Sequence, residues 1–282
     1  MPRAAVLGSP IDHSLSPVLH NAGYAALGLE DWDYGRQECT AEQLPGLVRG
    51  AAADVRGFSV TMPGKFAAVE IADEVTDRAR LLGSANTLVR LGEARWRADN
   101  TDTEGVLGAL QRLLGDQHVD KAVVIGAGGT ARPALWALAQ RGVKTVTVLN
   151  RSNRRAELEP LARELGLELR TTDFHTDLEK LSLGTGVIVS TVPSAALEDH
   201  LLDLAHAPVL DVIYEPWPTP LTVAAAANGY ATVNGHIMLA HQAVSQFEQF
   251  TGQPAPQKEM IDALNSALAA RQSSVINRAK RS

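Results

Sequence analysis

With 282 residues, 45% of them hydrophobic, the chain is long enough for two domains, each with its own core. A formal charge of -6 excludes a general basic field of the kind that holds nucleic acid, and a single cysteine, Cys39, excludes an intrachain disulfide framework. No apolar stretch approaches bilayer-spanning length, and Met1-Pro2-Arg3 runs straight into a strand-like segment without a signal-peptide region. A cytoplasmic protein with neither nucleic-acid nor membrane partners is expected.

In chain order, Arg3 to Leu7 is predicted to be a strand, broken by Gly8-Ser9-Pro10. A hydroxyl-rich loop, Asp12 to Pro17, leads into a helix starting near Ser16, with Pro17 in its first turn and Gly28 at its end. Trp32 to Glu38 reads as an exposed strand, Thr40 and Gln43 as a capping box, and Val55 to Thr61 as a strand punctuated by Pro63-Gly64. Lys65 then stands on a short helix and Val75 to Leu81 form another, before two strands, Asn86 to Leu91 and Ala94 to Arg97, joined at Gly92-Glu93. Asp99-Asn100-Thr101-Asp102 marks a domain junction, and a helix from Thr103 to Leu114 follows. Further strands are expected at 122–125, 145–149, 168–172, 187–191, 209–213 and 231–233, with helices clearest at 131–141, 153–165 and 219–228. Two last helices, Leu239 to Thr251 and Gln257 to Arg271, precede a solvated tail from Ser273. The alternation of strands and helices makes the fold class α/β, mostly parallel.

Lys121 to Arg155 is the most informative stretch. A β-branched strand enters Gly126-Ala127-Gly128-Gly129-Thr130-Ala131 and leaves as a helix. Gly126 permits the turn, Gly128 lets backbone approach a pyrophosphate, and Ala131 is small enough for close helix–strand packing. The helix start offers N–H groups and the positive end of its dipole to an anion. A glycine cluster alone is also found in ordinary turns; the second strand, Thr145 to Leu149, supplies the context that a dinucleotide fingerprint needs. Where a ribose-binding acid usually stands, this chain has Asn150-Arg151-Ser152, with Arg154 and Arg155 just beyond. Guanidinium forks match a 2′-phosphate, which a carboxylate would repel, so the expected cofactor is NADP. A solvated helix start is the plainer alternative for these arginines.

Four polar groups interrupt the apolar patterning near strand ends: Ser14 with Ser16, Thr61 with Lys65, Asn86 with Thr87, and Asn100 with Asp102. In open α/β sheets the crevice beyond the strands' carboxyl ends binds ligands. Neutral hydroxyls and amides suit a polyhydroxy ring, and Lys65 adds a cation and a proton. Each residue also has a structural reading: Ser16 or Asp102 as a helix cap, Thr61 as a strand end, Lys65 as a solvated lysine. Spacing alone chooses no substrate. His13, His20, His236 and His241 form no spaced ligand set, so no metal is expected.

The segments Gly8-Ser9-Pro10, Ser14-Leu15-Ser16-Pro17, Ser59-Val60-Thr61-Met62-Pro63-Gly64-Lys65 and Gly83-Ser84-Ala85-Asn86-Thr87 resemble the shikimate dehydrogenases. So do Asn100 to Gly105, the Gly126 turn, Asn150-Arg151-Ser152, Ser190-Thr191-Val192-Pro193, Asp211 to Tyr214, and Asn234-Gly235 through Met238 to Gln242. The resemblance covers residues 3 to about 260. It implies NADPH-dependent, reversible reduction of 3-dehydroshikimate to shikimate in aromatic amino-acid biosynthesis. It also implies a substrate-binding α/β domain at 1–102, a Rossmann-like NADP-binding domain at 103–237, and helices at 238–272 that return to the first domain, followed by the tail at 273–282.

Carried over by motif, Ser14 and Ser16 would hold the substrate carboxylate, and Thr61, Asn86, Asp102 and Gln242 the ring hydroxyls. Lys65 and Asp102 would be the catalytic pair. Gly126, Ala127, Gly128, Gly129, Thr130 and Ala131 would line the pyrophosphate; Asn150, Arg151, Ser152 and Arg155 would mark the adenosine phosphate. Thr191, Tyr214, Gly235 and Met238 would lie on the nicotinamide side. The chain departs from the family pattern at Ser9, Gly64 and Ile237, where asparagine, an aromatic residue and glycine are usual. A branched Ile237 near the nicotinamide would alter its fit. The rivals are a quinate/shikimate dehydrogenase of broader use, another Rossmann enzyme, and a nucleotide-sensing module without turnover. The expected partner is a small-molecule substrate, and the expected state a monomer or homodimer.

Overall fold

The structure, a computed structural model, describes residues 1–214 and 217–279, with side chains up to Arg271. The chain divides into two compact units. Met1–Ala79, Ala85–Thr101 and Gln242–Ser282 make the first, and Arg80–Ser84 with Asp102–His241 the second.

In the first ninety-nine residues the elements are β1 (Arg3–Gly8), α1 (Ser16–Ala26), β2 (Asp33–Glu38), α2 (Leu44–Arg49), β3 (Val55–Val60), α3 (Lys65–Ile71), β4 (Glu74–Val75), α4 (Asp77–Leu82), β5 (Thr87–Arg90) and β6 (Trp96–Asp99). The strands form one sheet in the order β2-β1-β3-β5-β6-β4. It is mixed: β1 runs parallel to β2 and β3, and β4 to β6, but β5 is antiparallel to both β3 and β6. The short link between β5 and β6, with Gly92 at φ 131°, can only make a hairpin, since a parallel crossover needs a dozen residues or more. Leu7, Phe58, Val60, Leu88 and Trp96 pack on one face with Leu44, Val48 and Ala68.

Local chemistry moved two predicted boundaries. Gln43 accepts the Thr40 N–H at 2.9 Å, half of the expected box, but the helix starts only at Leu44 with Pro45 in its first turn. The helix expected from Val75 is preceded by the two-residue β4, which pairs with β6; Thr76 then takes the Ala79 N–H on its hydroxyl and opens α4.

The second unit follows with α5 (Asp102–Leu114), β7 (Lys121–Ile125), α6 (Ala131–Gln140), β8 (Thr145–Leu149), α7 (Arg155–Glu164), β9 (Glu168–Thr172), α8 (Leu178–Leu183), β10 (Val187–Ser190), a 3-10 segment (Ser194–His200), α9 (Leu201–Leu204), β11 (Val209–Asp211), α10 (Pro220–Ala227) and β12 (Thr232–Asn234). Its sheet runs β12-β11-β10-β7-β8-β9, every pair parallel. Strand residues alternate between two buried faces. Val124, Val146 and Val148 meet Leu110, Leu135 and Leu158, while Val123, Ile125 and Ile188 meet Leu178, Leu204 and Leu221. Apolar residues at successive positions are what a sheet covered on both faces requires. This is a Rossmann-like sheet, with its topological switch point between β7 and β10.

The chain ends in α11 (Gly235–Thr251) and α12 (Gln257–Ala279). Gln242 onward belongs to the first unit, where Gly57 of β3 leaves room for the Phe250 ring and Gly23 of α1 for Phe247 and Met260. The C-terminal helices thus pack back on the first domain. The helix expected to stop at Arg271 continues to Ala279, through part of the expected tail; residues 280–282 lie outside the described residues. Among the described residues no helix is long and apolar enough to cross a membrane.

Candidate active site

The glycine turn lies at the carboxyl end of β7, beside the end of β10. Gly126 adopts φ +102°, and a Cβ there would stand 2.5 Å from Thr191 Oγ1 and 2.8 Å from Val192 Cγ1. Thr191 is drawn into this position because its N–H and hydroxyl both donate to the Ile125 carbonyl, at 2.9 and 2.8 Å. Side-chain-free backbone at Gly126 therefore seats one strand end against the other. Gly128 faces open space, Ala131 is fully buried at the start of α6, and the positive pole of that ten-residue helix faces the turn.

Beside the turn is a cleft of about 200 Å³ lined by Ala127, Gly128, Asn150, Arg151, Ser152 and Arg154. Asn150 shapes its rim by donating its side-chain N–H to the Ser152 carbonyl at 2.9 Å. Arg155 is directed elsewhere: it pairs with Glu159 at 2.8 Å and lines a separate depression with Asn153, Ala156 and Arg163. Arg154, paired with Glu157 at 2.5 Å, stands in the cleft with Arg151. Both arginines stand at ion-pair spacing from a glutamate, Arg154 from Glu157 and Arg155 from Glu159, so spacing does not separate them. The turn and the cleft together fit a dinucleotide: a close-approach turn, a helix pole, and two cations at the end of β8.

The remaining cofactor-side candidates lie where the chain leaves β11 and enters α11. Buried Asp211 accepts from the Thr219 hydroxyl at 2.7 Å and the Ile213 N–H at 3.1 Å, and burial pushes its carboxyl above the usual range against these bonds. It thereby fixes the segment that leads to Tyr214, whose ring lies 5.2 Å from that of His236. A Cβ on Gly235 would collide with the Val212 carbonyl, so only glycine starts α11 here. Met238 is buried in the core of this unit, and Ile237 packs against the same core. The branched side chain at 237 thus fills core space.

In the first unit, Ser14 and Ser16 are buried, with their hydroxyls 3.3 Å apart, and Arg36 donates to the Ser14 carbonyl at 2.9 Å. The cap position of α1 is Leu15, so Ser16 sits inside the first turn and is not the cap. Thr61 follows the last residue of β3, its N–H bonded to the Leu7 carbonyl at 2.8 Å and its methyl lying where a side chain on Gly8 would stand. Lys65 is the first residue of α3, half-buried, and its carbonyl accepts the Ala85 N–H at 2.9 Å. Gly64 precedes it, and a Cβ there would meet Val60 at 2.9 Å, which explains glycine at this departure from the usual motif.

Asn86 and Gln242 are brought together: the Asn86 amide donates to Gln242 Oε1 at 3.2 Å, although 156 residues separate them. Asn86 also accepts the Thr101 N–H at 2.8 Å and the Thr87 hydroxyl at 2.8 Å. Asp102, buried, follows Thr101 as the first residue of α5 and belongs to the second unit.

Several buried polar residues were not singled out from the sequence. Gln246, one turn beyond Gln242, bonds to Ser59, Thr87 and the Asn86 carbonyl; its place four residues after Gln242, on the same helix face, was the available signal. Asp99 is held by Arg78 at 2.6 and 2.5 Å, Thr76 at 2.7 Å, Gln249 at 2.8 Å and the Asn100 N–H at 2.8 Å. Burial pushes its carboxyl up, but these donors and the Arg78 charge outweigh burial and bring it down to about 2. His20 stacks on Tyr34 at 4.1 Å, and desolvation lowers it to about 3, so it is a neutral core residue. Among the described residues no group of three or more His, Cys, Asp or Glu side chains could hold a metal ion.

Three family models match this chain: the shikimate dehydrogenase substrate binding domain over residues 6–88, shikimate / quinate 5-dehydrogenase over 109–199, and the shikimate 5'-dehydrogenase C-terminal domain over 235–264. The chain is 39% identical to a shikimate dehydrogenase (NADP(+)) of Methylobacterium radiotolerans, covering 95% of this chain and 98% of that protein. Among solved structures, it is similar to the shikimate dehydrogenase of Mycobacterium tuberculosis, with 48% identity, a TM-score of 0.87, and coverage of 94% of this chain and 100% of the other. It is also similar to a shikimate 5-dehydrogenase from Mycobacterium fortuitum, with 51% identity, a TM-score of 0.81, and coverage of 93% and 97%.

Proposed function

We propose, since the chain belongs to the shikimate dehydrogenase family, that it catalyses the NADPH-dependent, reversible reduction of 3-dehydroshikimate to shikimate. The chain is an oxidoreductase with a dinucleotide-binding fold. The observation that carries the finer reading is the cleft at the end of β8, where Arg151 and Arg154 stand with Gly128 and no acid is among the lining residues. Two guanidinium groups favour a 2′-phosphate over a bare ribose hydroxyl. The M. radiotolerans relative carries NADP(+) in its name, which supports the same choice.

Gly126 to Ala131, Asn150, Arg151 and Ser152 are assigned to the dinucleotide, with Thr191, Tyr214, Gly235 and Met238 toward its nicotinamide end. Bound there, the reduced nicotinamide supplies the hydride. As the substrate carbonyl is reduced its oxygen gathers negative charge, and a cation or proton donor beside it contributes most at that point. Lys65 is assigned that part, donating the proton to the new alcohol. Asp102 orients the same hydroxyl, and in the reverse direction the pair takes the proton back. Ser14 and Ser16 would hold the substrate carboxylate; Thr61, Asn86, Asp102 and Gln242 would hold ring hydroxyls. These roles are supported by the motif matches and by the burial of serine, threonine and amide groups in the first unit. A cytoplasmic setting belongs to the same proposal.

A broader quinate/shikimate dehydrogenase is the second reading, favoured by the matched model that spans both activities. One matrix tests both: shikimate and quinate, each against NADP and NAD, followed by nicotinamide absorbance. Oxidation of shikimate with NADP well ahead of the other combinations supports the first reading. Comparable use of quinate supports the second, and no oxidation of either acid overturns both.

A further inference from the structure

Arg36 lies on β2, the edge strand of the first sheet, and belongs to no motif used above. Side chains alternate along a strand, so Tyr34, Arg36 and Glu38 share one face. At Tyr34 that face is covered by α1: the ring stacks on His20 at 4.1 Å, and the backbone exchanges two bonds with the Asn21 amide at 2.9 and 3.0 Å. Two residues on, the face has passed the start of the helix. Arg36 meets the preceding loop instead, its Nε donating to the Ser14 carbonyl at 2.9 Å. Its two terminal nitrogens have no protein partner among the described residues, and it makes no ion pair with them. Glu38, next on the face, accepts the Ser9 hydroxyl at 2.8 Å.

Ser14 and Ser16 have only neutral hydroxyls to offer, and both residues are buried. A carboxylate brought against them gives up water and gains no opposite charge from them, which is costly. The first turn of α1, at Ser16, contributes a partial positive charge. Arg36 carries a full one. By covalent geometry a serine's carbonyl oxygen lies within about 5 Å of its own hydroxyl. The guanidinium on the Ser14 carbonyl therefore stands within about one screening length of a carboxylate at that hydroxyl. Arg271 of α12 donates to the neighbouring His13 carbonyl at 3.2 Å, but that bond is exposed whereas the Arg36 bond is partly buried, so water screens Arg271 more. We propose that Arg36 is a specificity-determining residue, supplying the charge that makes the Ser14–Ser16 pair select a carboxylate over an uncharged group of similar shape. This rests on, and deepens, the reading that these serines hold the substrate carboxylate.

The test compares Arg36→Lys, Arg36→Gln and Arg36→Glu with wild type at saturating NADP, from about 0.02 M to about 0.5 M salt. Shikimate is the charged probe; its primary amide, followed as substrate or competitive inhibitor, is the uncharged one. Melting temperatures show that each variant is folded. At low salt the KM for shikimate is expected to stay within about twofold of wild type in Arg36→Lys, to rise about fivefold in Arg36→Gln and at least about tenfold in Arg36→Glu, with kcat changing less. That spread is expected to shrink as salt rises, and the affinity for the amide to shift by less than about twofold across the series. No change in any variant, equal losses in all three, a spread that salt leaves untouched, or an amide weakened as much as the acid would overturn the proposal and leave Arg36 at most a strap for the loop. If Arg36→Glu does not fold, Lys against Gln carries the same comparison. Failure of the wild type to oxidise shikimate would overturn the functional reading and this inference with it, whereas wild-type turnover without the charge order overturns the inference alone.

Discussion

Asparagine in place of Asp99 removes one charge from the middle of the first unit and leaves its shape nearly intact. The carboxylate is buried, its side chain 5% exposed, while its partner Arg78 is 27% exposed. Folding lowers the Asp99 pKa from 3.8 to about 2. At about 1.4 kcal/mol per tenfold change in proton affinity, that displacement contributes about 2 kcal/mol of stability at neutral pH. Breaking a fully buried ion pair costs about 3–5 kcal/mol, but Arg78 can regain water, so the smaller figure is expected to hold. The sign follows from the direction of the shift: a depressed carboxyl pKa contributes fully above its unfolded value and is lost as pH falls through the folded one. The wild-type advantage over Asp99→Asn is therefore constant from neutrality down to about pH 5, and narrows between about pH 4 and pH 2. Urea unfolding followed by fluorescence, repeated across that range, measures it; Trp96 lies on the same strand, β6. An advantage below about 0.5 kcal/mol at pH 7, or one that does not narrow in acid, would refute the assignment of Asp99 as an ionised keystone.

Lys65→Ala is expected to cut turnover by at least about a hundredfold while changing the KM for shikimate much less; a turnover loss under about threefold would remove it from catalysis. Arg151→Ala and Arg154→Ala are each expected to weaken NADPH use about tenfold and to spare NADH, whereas Arg155→Ala changes either by less than about twofold. The ratio of NADPH to NADH efficiency checks this, and a larger effect at Arg155 than at Arg154 would reverse the assignment. Gly126→Ala sets a Cβ 2.5 Å from Thr191 Oγ1 at a positive φ; NADP affinity is expected to fall at least about tenfold, read by fluorescence titration. Gly57→Ala drives a methyl into the Phe250 ring and is expected to cost about 1–3 kcal/mol in unfolding with the KM for NADP unchanged; an unaltered melting temperature would contradict the packing of α11 on β3.

The second unit was the more legible of the two. Its strands at 145–149 and 168–172 fall where the pattern put them, because a parallel sheet covered on both faces prints short β-branched runs between amphipathic helices. The glycine turn was readable too, since positive φ and close approach leave few residues other than glycine. The first unit was harder. Its mixed sheet depends on a hairpin and on two-residue β4, neither of which has a strong period. Of the two cations just beyond the turn, the motif assigned Arg155, and not Arg154, to the adenosine phosphate. Only the three-dimensional placement of Glu157 and Glu159 assigned one arginine to the cleft and the other to the helix surface.

By itself the sequence determined the α/β class, the glycine turn after β7 and the residue types available for chemistry, because these follow from local sterics, periodicity and charge. Tertiary structure alone decided which amide faces which. Asn86 meets Gln242 and Gln246 across more than 150 residues, and Asp99 meets Gln249 across 150. The polarity of a buried hydrogen-bond chain is set where fixed backbone donors and acceptors meet it, and those meetings exist only after the terminal helices have packed against the first sheet.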